Sequence, residues 1–112
     1  KADVPEGDRR LAHPRFQGEN LDRNVAIAEK IGAIAREKDC TPGQLVLAWL
    51  LAQGKEVIAI PGTKRKARVD ENLGALQVRL TKEEIERISA AAPVGAGAGT
   101  RYPADAMAKA YL

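Results

Sequence analysis

Lys64, Arg65, Lys66 and Arg68 set four cations within a five-residue stretch with no acid among them. They follow directly on Val57-Ile58-Ala59-Ile60-Pro61-Gly62. The chemistry open to such a group is the binding of an anion. Residues 57–60 have no polar alternation and read as a strand covered on both faces, as in a parallel sheet. Pro61 and Gly62 end it, and Gly62 admits close backbone approach and a positive φ. A helix that begins at the cluster adds free N–H groups and partial positive charge at the same point, which makes a phosphate grip. A solvated helix start or a nucleic-acid patch are the other uses of such a cluster.

The distribution of charge favours the small anion. The chain of 112 residues carries 18 basic and 15 acidic residues, a net charge of +3. Without the four cations of 64–68 the remainder holds 14 basic residues against 15 acidic ones, so the positive field is local. A long polyanion calls for basic residues spread over a face, with aromatic residues for stacking. Here Asp70 and Glu71 follow at once, and aromatic residues make up only 4% of the chain. A nucleic-acid partner is therefore not expected. One cysteine, Cys40, excludes an internal disulfide, offers no metal cluster and fits a reducing compartment. No apolar run reaches the ~20 residues of a membrane span, and the start KADVPEGDRR has no signal-peptide core. The expectation is one soluble, cytoplasmic domain at most, with no membrane partner.

The elements that must position the cluster are mostly helical. Residues 1–19, with two prolines and two glycines, read as a loop. From Asn20 a stripe of Ile27, Ile31 and Ile34 predicts an amphipathic helix that ends at Lys38-Asp39-Cys40. Thr41-Pro42-Gly43-Gln44 has the spacing of a capping box and opens a helix whose Leu45–Ala52 run predicts burial nearly all round. After Gly54 and the 57–60 strand, a helix from about Lys66 to Asn72 turns Val69, Leu73 and Leu76 inward. Gln77 to Leu80 read as a short extended link. Thr81-Lys82-Glu83-Glu84 repeats the capping box for a helix with Ile85, Ile88 and Ala92 inward, stopped by Pro93. The GAGAGT tract of 95–100 reads as a mobile connector, and the tail holds a short helix around Ala104 to Tyr111. One doubly buried strand with no partner in the chain predicts the C-terminal part of a larger α/β protein. Alone, the 45–52 run and that strand predict association, swapping of elements or need of an N-terminal partner.

These segments carry a resemblance. Thr41-Pro42-Gly43-Gln44 with Leu47-Ala48-Trp49, the run ending Ile60-Pro61-Gly62, the Glu71-Asn72 pair and Leu80-Thr81-Lys82-Glu83-Glu84 stand in the order and spacing of the C-terminal third of the aldo-keto reductases. Pro14-Arg15-Phe16-Gln17-Gly18-Glu19-Asn20 and Arg101-Tyr102-Pro103 resemble one bacterial and plant subgroup. The resemblance covers nearly the whole chain. It implies an α/β fold, the C-terminal portion of a (β/α)8 TIM barrel, mostly helical here with one core parallel strand. Residues 1–112 would be a fragment of one barrel domain, with 1–19 a loop, 20–92 barrel elements and 93–112 linker and tail. In such barrels the loops after strands seven and eight, with the start of a short helix, commonly bind phosphate.

What the resemblance implies about function is an NADPH-dependent reduction of aldehydes and ketones. Gly62, Thr63 and Lys64 match the loop that grips the adenosine 2′-phosphate, and Arg68 matches the arginine that reaches that phosphate and the adenine. Glu71 and Asn72 match the pair on the adenine edge. Positions 68, 71 and 72 are i, i+3 and i+4, one face of one helix. An Asn amide can donate to and accept from adenine, and a carboxylate can accept from its exocyclic amine. Gly62 stands where a lysine often sits, which leaves Lys64, Arg65 or Lys66 to supplement Arg68.

The family's catalytic Tyr, Lys, Asp and His come from the first half of the barrel, and none of those motifs is matched. No catalytic residue is assigned to this chain: His13 lies in a charged loop, and Tyr102 and Tyr111 in the tail. The implied partners are a small carbonyl substrate and the N-terminal remainder of the barrel. An interaction protein derived from a reductase is the alternative that the same residues allow. Trp49 reads as core and Cys40 as a spectator, with no base beside it. The glycine spacing of 95–100 is wrong for a dinucleotide fingerprint. Arg15, Phe16 and Tyr102 would border the substrate opening by resemblance.

Overall fold

The computed structural model describes residues 5–110. These fall into two compact units, one made of the chain up to Ala26 and from Val94 onward, the other of Ile27–Pro93. Among the described residues five α-helices are formed: α1 (Gly18–Glu37), α2 (Pro42–Leu51), α3 (Lys66–Gly74), α4 (Lys82–Ala91) and the short α5 (Ala104–Met107). The tail helix foreseen to Tyr111 stops at Met107, and Tyr111 lies outside the described residues.

The helix ends follow local chemistry. α1 closes with Asp39 in the left-handed region (φ 50°), a conformation Asp tolerates better than most residues. Cys40 N–H then donates to the Ala35 carbonyl at 3.1 Å and Asp39 N–H to that of Arg36 at 3.2 Å. That pair of bonds is a Schellman closure with Asp where glycine is usual. Both capping boxes form. Thr41 Oγ1 accepts from Gln44 N–H at 3.2 Å, and Gln44 Oε1 accepts from Thr41 N–H at 3.0 Å. Thr81 and Glu84 repeat this at 3.2 and 2.8 Å.

In the 27–93 unit the core is Ile31, Ile34 and Ala35 of α1, Leu45 of α2 and Ile88 of α4, with Trp49 and Leu80 packed against it. The Trp49 indole N–H donates to Ser89 Oγ at 2.9 Å, and that hydroxyl donates to the Ile85 carbonyl at 2.8 Å. The polar edge of the ring is thus satisfied while its body is half-buried. Two ion pairs fasten the end of α1 to α4. Arg87 grips Glu37 with Nη2 at 2.7 Å from Oε1, and Lys38 Nζ lies 2.9 Å from Glu84.

Four sequence expectations change here. Residues 57–60 form no strand: Ile58 and Ile60 are 81% and 91% exposed, and no strand is formed anywhere among the described residues. Their apolar pattern is real, but a strand exists only through ladder partners. α2 is not buried all round, since only Leu45 and Ala48 are buried and Val46 is exposed. Val69, Leu73 and Leu76 likewise stay exposed rather than inward, because the elements of this unit cover only one side of α3. Gln77 belongs to a 3₁₀ turn, Ala75–Gln77, instead of the extended link.

In the other unit the 1–19 segment contains two 3₁₀ turns, Arg9–Ala12 and Pro14–Phe16, and α1 starts at Gly18. The glycine tract is anchored there rather than free. Asn24 Oδ1 accepts from Ala98 N–H at 2.8 Å, its Nδ2 donates to the Ala98 carbonyl at 3.0 Å, and Arg15 Nε donates to the Gly99 carbonyl at 3.3 Å. Gly99 has φ 80°, and a Cβ there would sit 3.1 Å from the Pro14 carbonyl carbon. Only glycine meets both demands.

The ion pairs imply a pH dependence. Arg87 holds the Glu37 carboxyl below its ordinary 4.5, and Thr81 N–H, then Lys38, do so for Glu84. A carboxylate whose folded pKa is depressed stabilises fully above its unfolded value and loses that contribution as pH falls through the folded one. Melting temperature of the intact protein should therefore be flat from about pH 7 down to about pH 5 in respect of these groups. It should drop below about pH 4.5, and Glu37→Gln should remove part of that drop. Thermal melts across that range check it; an unchanged acid limb in the variant counts against the Glu37 link.

Candidate functional site

The candidate residues gather at the start of α3 and on its first two turns. Residues 61–70 are exposed throughout. Arg65 is the N-cap of α3 in an extended conformation, and no side chain caps that helix, in contrast to α2 and α4. Thr63 Oγ1 accepts from Arg65 N–H at 3.4 Å, which orders the approach. Gly62 does not use the left-handed region expected for it, and a Cβ there would meet nothing within 4 Å. Its value at this position is open space rather than backbone freedom.

The four cations divide two and two. Lys66 Nζ pairs with Asp70 one turn on at 3.2 Å, and Arg68 Nη1 donates to Glu71 Oε2. Among the described residues Lys64 and Arg65 have no carboxylate partner. No acid occupies the first turn of α3, so these two charges and the uncapped N–H groups stand together without compensation. Cations at a helix N-terminus oppose the helix dipole, an arrangement that an anion relieves. The part of the cluster without carboxylate partners is thus its most anion-seeking part.

Glu71 and Asn72 are half-buried, and the two differ in setting. The Glu71 carboxyl is held below its ordinary 4.5, first by the Arg68 guanidinium and then by the Thr41 hydroxyl. It remains an anion, an acceptor without a proton to give. Asn72 and Thr63 lie on the rim of an apolar cavity of about 430 Å³, walled by Leu47 and Leu51 of α2, Pro61, and Val69 and Leu73 of α3. An amide and a hydroxyl beside apolar walls suit a flat, partly polar ring system. Gly62, Thr63 and Lys64 thus lead into α3, and Arg68, Glu71 and Asn72 lie along it, with Arg68 and Glu71 in direct contact.

Two contacts to Glu71 come from residues that local pattern does not single out. Gln44 Nε2 donates to the Glu71 carbonyl at 2.9 Å, and Thr41 supports its carboxylate. The capping box drew attention to both residues, but as partners of each other. Elsewhere, among the described residues no group of His, Cys, Asp and Glu could hold a metal ion. The Cys40 thiol is pushed up, mainly by burial, and carries no activating base. No helix among them is long and apolar enough to cross a membrane.

Comparison with known proteins gives this geometry its family. Residues 2–93 match the Aldo/keto reductase family. The chain belongs to that family. Over 99 residues it is 48% identical to "Probable aldo-keto reductase 1" of Glycine max, covering 88% of this chain and 29% of that protein. Over 110 residues it is 46% identical to "Aldo-keto reductase yakc" of Schizosaccharomyces pombe, whose name specifies NADP(+), covering 98% of this chain and 32% of the relative. The chain thus spans about a third of the length of these aldo-keto reductases.

The Arg68–Glu71 contact can be tested directly. Arg68→Ala should bring the Glu71 carboxyl part of the way back toward 4.5, because Thr41 still donates to it. Carboxyl-carbon NMR titration reads that midpoint. A Glu71 midpoint unmoved by the substitution would mean that the pair does not form in solution.

Proposed function

We propose that this chain is the C-terminal third of an NADPH-dependent reductase of aldehydes and ketones, in which it binds the adenosine end of the cofactor. The observation that carries the reading is the start of α3, where Lys64 and Arg65 lack carboxylate partners beside uncapped helix N–H groups. A dianionic phosphate satisfies both the charge and the donors. The yeast relative's name, which specifies NADP(+), supports the choice of a phosphorylated dinucleotide. Family membership supports a (β/α)8 barrel in which Ile58 and Ile60 are covered by neighbouring strands of the N-terminal remainder.

The residues present fit the group. Arg68 swings from Glu71 to the 2′-phosphate, or shares itself between the two, since its side chain is 63% exposed. Lys66 is engaged with Asp70, so Lys64 and Arg65 are the cations left to supplement it. Asn72 holds the adenine edge beside the apolar cavity, with Glu71 as acceptor. Bound NADPH supplies the hydride that reduces the carbonyl. What this chain does is hold and select the cofactor; proton transfer belongs to the remainder of the barrel. Two of the four cations already face acids one turn along, which speaks against a nucleic-acid surface.

In the whole reductase, Arg68→Ala should weaken NADPH by about 1.5–3 kcal/mol, roughly 10- to 150-fold, the scale of a charge-assisted contact. NADH should weaken far less, because the 2′-phosphate alone distinguishes the two cofactors. Titration of each cofactor by quenching of protein fluorescence checks this. Equal losses for both would move the phosphate grip away from Arg68. The 112-residue chain by itself should oxidise no NADPH with an aldehyde, and measurable turnover by pure material would overturn that assignment of labour.

A further inference from the structure

α3 is only nine residues long and contains no buried residue. A helix of that length is marginal by itself, so its attachments determine where its side chains stand. One attachment is unusually specific. Glu71 is among the last residues of α3, and the N–H of Ala75, four residues on, donates to Asn72 and Leu73 instead. A helix end leaves its last carbonyls short of backbone donors, and that of Glu71 belongs to this last turn. Gln44 Nε2 fills the gap at 2.9 Å.

The Gln44 amide has no freedom in this arrangement. Its Oε1 accepts from Thr41 N–H at 3.0 Å while its Nε2 donates to Glu71, so the two partners demand opposite ends of the group. Gly74 leaves the space: a Cβ at that position would lie 2.3 Å from Gln44 Nε2. Thr41, the other half of the same capping box, supports the Glu71 carboxylate. The start of α2 and the end of α3 are thus closed by one side chain, and the point of closure is a residue of the adenosine site.

We infer that Gln44, with Gly74 making room for it, is a positioning residue for cofactor binding: it holds the Glu71-Asn72 turn against α2 so that both side chains meet the adenine. This rests on the adenosine site proposed above. Gln44→Glu separates the two duties of the side chain. A glutamate keeps the capping box, where Glu is equally suited, but presents an acceptor to the Glu71 carbonyl and cannot donate to it. A role confined to capping would be rescued by this substitution. A positioning role would not.

The test uses the whole reductase, with fluorescence titrations of NADPH and NADH, thermal melts of the cofactor-free protein, and Arg68→Ala alongside. In Gln44→Glu both cofactors should bind about 3- to 10-fold more weakly by the same factor, the scale of one lost hydrogen bond, with the loss lying in KM rather than kcat and the kept capping box leaving a cooperative melt. Gly74→Ala should reproduce the loss, because its methyl displaces the Gln44 amide, and the double variant should lose no more than either alone. Unchanged affinity in Gln44→Glu, or additive losses in the double variant, would overturn the inference. If Arg68→Ala discriminates between the cofactors while Gln44→Glu alters neither, the positioning role alone falls. If Arg68→Ala alters neither cofactor, the adenosine site itself is misplaced and the role of Gln44 falls with it.

Discussion

Leu45 has no exposed surface, and the 27–93 unit is organised around that fact. It lies in the first turns of α2, among Ile31, Ile34 and Ala35 of α1 and Ile88 of α4. Burying a leucine this fully is worth roughly 1.5–3 kcal/mol, and truncating it would leave a cavity as well. With Leu45 fixed inward, the helical period turns Leu47 and Leu51 toward α3 and leaves Val46 exposed. α2 therefore has two working sides. One belongs to the core; the other carries α3, which contributes nothing buried of its own.

That division explains how the unit tolerates a cluster of like charges. Cations in the first turn of a helix oppose its dipole by about 0.3–1 kcal/mol each. An exposed i,i+4 pair such as Lys66–Asp70 returns only about 0.2–0.5 kcal/mol. The start of α3 is thus unfavourable by its own chemistry, and what holds the helix lies at its other end, in Gln44 and the contacts with α2. Separating the two ends keeps the anion-seeking turn exposed without undoing the helix. Stability is supplied away from the charged first turn.

How much of this was legible in the sequence depended on how local each cause is. Thr41–Gln44 and Thr81–Glu84 are interactions across three residues, so spacing alone foretells both capping boxes. The end of α1 at Asp39 is equally local. The 57–60 segment was legible as apolar but not as formed structure, since a strand takes its existence from ladder partners and no strand is formed among the described residues. Gln44 and Glu71 are 27 residues apart, and Asn24 and Ala98 are 74 apart. Pattern cannot foresee such bonds, and the glycine tract therefore read as a connector when in fact Asn24 and Arg15 tie it down. The cation cluster was legible as an anion site from its residues, but Glu71 and Asn72 became candidates through resemblance alone and would otherwise pass as ordinary helix surface.

The apolar surface left on this chain has the same origin as its missing strand. Ile58 and Ile60 are almost wholly exposed, and Leu73 and Leu76 are 57% and 58% exposed beside the cavity that Leu47 and Leu51 wall. Contiguous apolar surface of this kind marks a place where other structure belongs. The chain spans about a third of the relatives it matches, and in the reading proposed above the remainder of the barrel would cover that surface. The polar groups tell the complementary story. Lys64 and Arg65 stand beside the uncapped turn of α3, an arrangement that an anion relieves. Asn72 and Thr63 line the apolar cavity close to the charged turn. A cofactor whose phosphate lies on the charged turn and whose base lies against the apolar wall would join them.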